Sequence, residues 1–73
     1  MKEDRPAGTP VLRRMNRAAV LDAVRRRAPE PVRVAELAQL TELTRPTVAQ
    51  AVEDLLTAGW LRQHAPHIPR FSG

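Results

Sequence analysis

Seventy-three residues with no cysteine make at most one small domain, whose core supplies only about 3–5 kcal/mol and which no disulfide reinforces. The absence of cysteine also excludes a thiolate zinc site and fits a reducing compartment. The formal charge is +4 and eleven of the twelve cations are Arg, whose planar fork can bond two phosphate oxygens at once. Charge alone points to nucleic acid only weakly, since genomic composition also produces Arg-rich chains.

No apolar run approaches the roughly 18 residues of a membrane span, and the opening MKEDRPAGTP lacks the apolar block of a signal peptide. The expectation is a cytoplasmic, nucleoid-associated protein with no membrane partner. Residues 1–9, with Pro6, Gly8 and four charges from Lys2 to Arg5, read as a disordered arm.

Pro10 can open a helix, and the pattern is helical from Val11 to Ala28. Val20, Leu21 and Val24 form an apolar stripe, extended forward by Leu12 and Met15. Asn16 either lies within this helix or caps a second segment beginning at Arg17. Arg25, Arg26 and Arg27 are either a dipole-matched helix end or a phosphate clamp, and Pro29 and Pro31 stop the helix. Pro31-Val32-Arg33 is short and extended, able to supply a strand stub of one or two residues that pairs with a later hairpin.

Val34 to Leu40 is the next helix, with Leu37 and Leu40 facing inward and Ala38 small enough for close packing. The turn Thr41-Glu42-Leu43 needs a left-handed residue. Glu42 stands in that position, at a cost of about 1 kcal/mol. Thr44 caps the following helix, Pro46 is tolerated in its first turn, and the helix runs from Arg45 to about Ala58. Val48, Val52, Leu55 and Leu56 give its inward face, Ala51 adjoins that face, and Gly59 closes the helix. Trp60-Leu61-Arg62-Gln63 alternates as a strand. Trp60 or Leu61 closes the bottom of the core, and the lone Trp reads as a core anchor. No returning strand is evident in residues 64–73, which read as a wing remnant or flexible tail.

The fold class that follows is mostly α: a three-helix winged helix-turn-helix over residues 10–63 with a short or incomplete β-wing. Two helices at a tight turn, the second with a polar, cationic leading edge, have the shape that enters a DNA major groove. Arg45, Thr47 and Gln50 are the expected base readers, Arg by two parallel bonds to guanine and Gln by a bidentate pairing with adenine. Pro46 shares their edge. Free N–H groups at the helix start would add a phosphate site. Arg33, Thr44, Arg62 and Arg70 are the expected backbone contacts.

Other chemistry finds little support. His64 and His67 are spaced as a metal pair but have no third ligand in view. There is no Gly-rich phosphate loop, no Ser/His/Asp set and no inward carboxylate pair, so neither an enzyme nor a cofactor is expected. An alternative of a different class is a protein-interaction module using the groove between the first and third helices. An RNA-binding winged helix would need exposed stacking aromatics, for which only Phe71 is a candidate.

The run from Leu12 to Gln63 resembles the N-terminal winged helix-turn-helix of ROK-type (repressor, open reading frame, kinase) transcriptional repressors. The matching pieces are Leu12-Arg13-x-x-Asn16, Ala35-Glu36-Leu37-Ala38, Leu43-Thr44-Arg45-Pro46-Thr47-Val48 and Leu55-x-x-x-Gly59-x-Leu61. MarR-like regulators share part of this pattern. The resemblance implies that the helix 44–58 is the recognition helix, with Arg45, Pro46, Thr47 and Gln50 at its DNA-facing positions. It also implies a homodimer on a palindromic operator and repression of sugar-related genes. Three features depart from the family: Glu42 where Gly is usual, a wing represented at most by Arg70 and Gly73, and no sugar-binding domain following. An effector sugar is expected only of a chain that carries that further domain.

Overall fold

The computed structural model describes residues 10–64 and 68–71. Helix α1 spans Pro10–Arg27, α2 Val34–Thr41 and α3 Arg45–Ala58; strands β1 (Leu61–His64) and β2 (Ile68–Phe71) follow. The strands pair antiparallel, with Leu61 opposite Phe71 and Arg62 opposite Arg70. This is the winged helix-turn-helix arrangement. The arm 1–9, residues 65–67 with His67, and residues 72–73 lie outside the described residues.

The core is built from one stripe of each element. Val20, Ala23 and Val24 come from α1, Leu37 from α2, and Val48, Ala51, Val52 and Leu55 from α3; Val32 and Leu61 close it. Burying this set is the main source of stability in so short a chain. Leu37, Val20, Val24, Val32 and Val48 are completely buried. Helix α1 is continuous through Asn16, so the capped second segment is not formed.

The turn between α2 and α3 takes the expected left-handed step at Glu42, with φ +61°. Thr41 stitches it: its hydroxyl donates to the Leu37 carbonyl at 2.6 Å and accepts the Leu43 N–H at 3.4 Å. At the other end of α3, the Gly59 N–H bonds to the Leu56 carbonyl and the Trp60 N–H to the Leu55 carbonyl. That pair of bonds around a left-handed glycine (φ 88°) is a Schellman closure.

The closure decides the fate of Trp60, which is 56% exposed and not a core anchor. Once the chain leaves the turn as a pleated strand, adjacent side chains point to opposite faces. Leu61 takes the core position, so Trp60 is turned out. Leu40, expected inward, is 52% exposed. The buried side of α2 centres on Leu37 with Val34 and Ala38 beside it, leaving Leu40 at the edge toward Ala19 of α1. Met15 is 61% exposed, because on an unbroken helix it lies more than a quarter-turn from the Val20–Val24 stripe.

The wing has a return strand that the sequence pattern hid. Ile-Pro-Arg-Phe carries a proline, which weakens a strand reading. Here Pro69 is fully buried, and its carbonyl accepts the Val32 N–H at 3.1 Å. The extended stub after α1 therefore does meet the wing, through one backbone bond.

Two outcomes test this packing. Leu37→Ala should cost about 2–5 kcal/mol and leave the domain largely unfolded in a denaturant titration. Glu42→Gly should relieve the left-handed strain by about 1 kcal/mol and raise the melting temperature by roughly 4–8 °C.

Candidate nucleic-acid interface

Burial of Val48, Ala51, Val52 and Leu55 fixes the rotation of α3 about its axis. Arg45, Pro46, Ala49, Gln50 and Glu53 are all exposed on its other side. Thr47 is half-buried, turned toward α1. Thr44 has extended backbone and caps the helix: its Oγ1 accepts the Thr47 N–H at 3.3 Å and its hydroxyl donates to Thr47 Oγ1 at 2.9 Å.

This cap changes how the helix start can work. Pro46 has no N–H, and the Thr47 N–H is taken by Thr44. Of the first three helical residues only Arg45 keeps an uncommitted backbone donor. The N-terminus is therefore a weak phosphate cradle, and contacts there must come from side chains.

Gln50 is not a loose surface side chain. Its Nε2 donates to Asp54 Oδ1 at 3.1 Å, one turn further along. Asp54 is gripped from α1: Arg13 Nη2 lies 3.0 Å from both carboxylate oxygens, and Arg17 Nη1 is 3.5 Å from Oδ2. The Arg13 hydrogen bonds, with help from Gln50, hold the Asp54 carboxyl below its ordinary value of 3.8. Asp54, one turn beyond Gln50, thus reaches back to the exposed leading edge of α3. Thr47 and Gln50 thereby also line a shallow groove against Leu12, Arg13 and Asn16 of α1.

Arg33 is exposed at the start of α2. Its N–H donates to Glu36 Oε1 at 3.1 Å, and Arg27 Nη2 donates to Glu36 Oε2 at 3.1 Å. Those bonds, the Arg33 backbone first, keep Glu36 below its ordinary 4.5. The three arginines ending α1 are used inside the domain: Arg27 by Glu36, Arg26 by Asp22 at 2.9 Å, and Arg25 over the Phe71 ring at 5.6 Å. They serve as a helix end tied to its surroundings, and Phe71 is half-buried in the packing. Arg62 and Arg70 face each other across the two strands of the wing, with Arg62 exposed.

The family model for the MarR family matches residues 12–67. That covers most of the chain, including all three helices. The chain belongs to the MarR family. No curated protein and no solved structure matches it. MarR-family winged helix-turn-helix domains bind DNA and regulate transcription, and that coarse function is this chain's too. No helix among the described residues is long and apolar enough to cross a membrane, and they hold no group of three or more His, Cys, Asp or Glu that could bind a metal.

The clasp predicts a pH signature. A carboxylate whose folded value is lowered contributes stability that is present above its unfolded value of 3.8 and is lost as the pH falls through the lowered folded value. Asp54→Asn should therefore melt below the wild type at neutral pH. The gap should close under acid, below about pH 4, in melting curves taken as a pH series.

Proposed function

We propose that this domain binds duplex DNA sequence-specifically, with α3 entering the major groove edge-first. Arg45, Thr47 and Gln50 meet base edges, with Pro46 in contact beside them. Arg33, Thr44, Arg62 and Arg70 hold the backbone. The observation that carries this reading is the exposed leading edge of α3: Arg45, Pro46 and Gln50 stand clear of the core while the opposite side of the same helix is buried. Arg45 and Arg62 have no ion-pair partner among the described residues, whereas the arginines of α1 at positions 13, 17, 26 and 27 do.

The wing adds a second support. Arg62 and Arg70 are paired across its two strands and Arg62 is exposed, which puts two guanidinium-bearing residues side by side where a phosphate could be held. The resemblance to ROK-type repressors extends the reading to a homodimer on a palindromic operator and to repression of sugar-related genes, with any effector sugar bound by a domain outside this sequence.

A second reading is favoured by the groove between α1 and α3, lined by Leu12, Asn16, Pro46 and Ala51 among others: a protein-docking module without DNA binding. Selection from a random duplex library decides between them, and a palindrome among the enriched sequences supports the dimeric repressor. On the selected site Arg45→Ala and Gln50→Ala should each cost about 1–3 kcal/mol. Arg62→Ala should weaken all sequences alike and reduce the salt slope by about one unit. Weak binding with a flat salt response would favour the docking module.

A further inference from the structure

We infer that Asp54 is a specificity-positioning residue that makes Gln50 an adenine reader and bars it from guanine. The inference rests on the proposed role of Gln50 as a base reader and deepens it.

A side-chain amide has one acceptor oxygen and two N–H donors. An ionised carboxylate can only accept, so the amide atom facing Asp54 has to be the nitrogen. The 3.1 Å contact to Asp54 Oδ1 thus sets the flip of the Gln50 amide by chemistry. Asp54 has little freedom to follow Gln50 elsewhere, because Arg13 spans both its oxygens at 3.0 Å and Arg17 stands at 3.5 Å. The Arg13 and Asp54 positions are 41 residues apart in sequence, so the clasp exists only in the packed domain.

What remains outward on Gln50 is one oxygen acceptor and one N–H donor. In the major groove adenine offers an acceptor at N7 and a donor at N6, the complement of that pair. Guanine offers two acceptors, N7 and O6, and would need both amide protons. Asp54 already holds one. The carboxylate therefore removes the donor that guanine recognition requires and leaves adenine recognition intact. The two α1 arginines meanwhile offset the charge that an acid this near the leading edge would turn toward phosphates.

The test is selection from a random duplex library with the wild type, Gln50→Ala and Asp54→Ala. The readout is the adenine-to-guanine ratio at each base pair, which compares sequences bound by the same folded molecules and so is insensitive to the fraction folded. Gln50→Ala should flatten the preference at one base pair of each half-site. Asp54→Ala should lower the adenine-to-guanine ratio at that same base pair by about fivefold or more, the lower end of what a bidentate pairing discriminates, with the other positions unchanged. If Gln50→Ala flattens a position and Asp54→Ala leaves its ratio intact, the inference is overturned while the base-reader role stands. If Gln50→Ala alters no position, that role fails and the inference with it. Should Asp54→Ala not fold, Asp54→Leu, which can neither accept nor donate, should lower the adenine-to-guanine ratio at that base pair in the same way; an unchanged ratio in that variant overturns the inference.

Discussion

The exposed edge of α3 depends on the helix's buried stripe. Val48, Ala51, Val52 and Leu55 give the helix a single packed side, against which α1, α2 and β1 all close. A helix has one rotational degree of freedom about its own axis, and this stripe removes it. The exposure of Arg45, Pro46 and Gln50 is then a consequence of which residues were buried, not a separate device. Ala51 contributes by being small, letting α3 sit close enough to α1 for Asp54 to come within reach of Arg13.

That proximity gives the domain its division of positive charge. The net charge of +4 suggests a broadly cationic surface. In the structure, Arg13 and Arg17 are spent on Asp54, Arg26 on Asp22, Arg27 on Glu36, and Arg25 lies over Phe71. Exposed pairs of this kind stabilise little individually. Their larger effect is on where positive charge remains without an ion pair among the described residues, which includes Arg45 at the start of α3 and Arg62 on the wing. A DNA-binding surface is thus defined as much by the arginines that are neutralised as by those that are not.

The helical part of this fold was legible because it is written in short-range code. Thr44 before Arg-Pro, the spacing of Val48, Val52 and Leu55, and Gly59 at the close each act within one or two turns. Even the costly left-handed Glu42 could be placed, since the two helix patterns leave the chain nowhere else to turn. What escaped was set by partners distant in sequence. Leu61 displaced Trp60 because the direction of the chain after Gly59 decides which of two adjacent apolar residues faces in. The strand Ile68–Phe71 hid behind Pro69, whose lost N–H matters little where the carbonyl does the bonding, here to Val32. The Gln50–Asp54 contact had a visible signal in its i,i+4 spacing. Its anchoring by Arg13 had none.

The cap at Thr44 carries a further implication for how such an edge can read DNA. Many anion sites rely on backbone N–H groups at a helix start, which bind phosphate without regard to sequence. Here Pro46 removes one of those donors and Thr44 occupies another. The loss lowers the general attraction of the helix end for any phosphate. It leaves Arg45, the Thr47 hydroxyl and the oriented amide of Gln50 as the groups that a groove would meet first. A recognition helix gains selectivity when its non-specific contacts are weakened relative to its base contacts. In the proposed binding mode the combination of proline, capping threonine and clasped glutamine shifts the balance in that direction, with the backbone grip left to Arg33 and the wing.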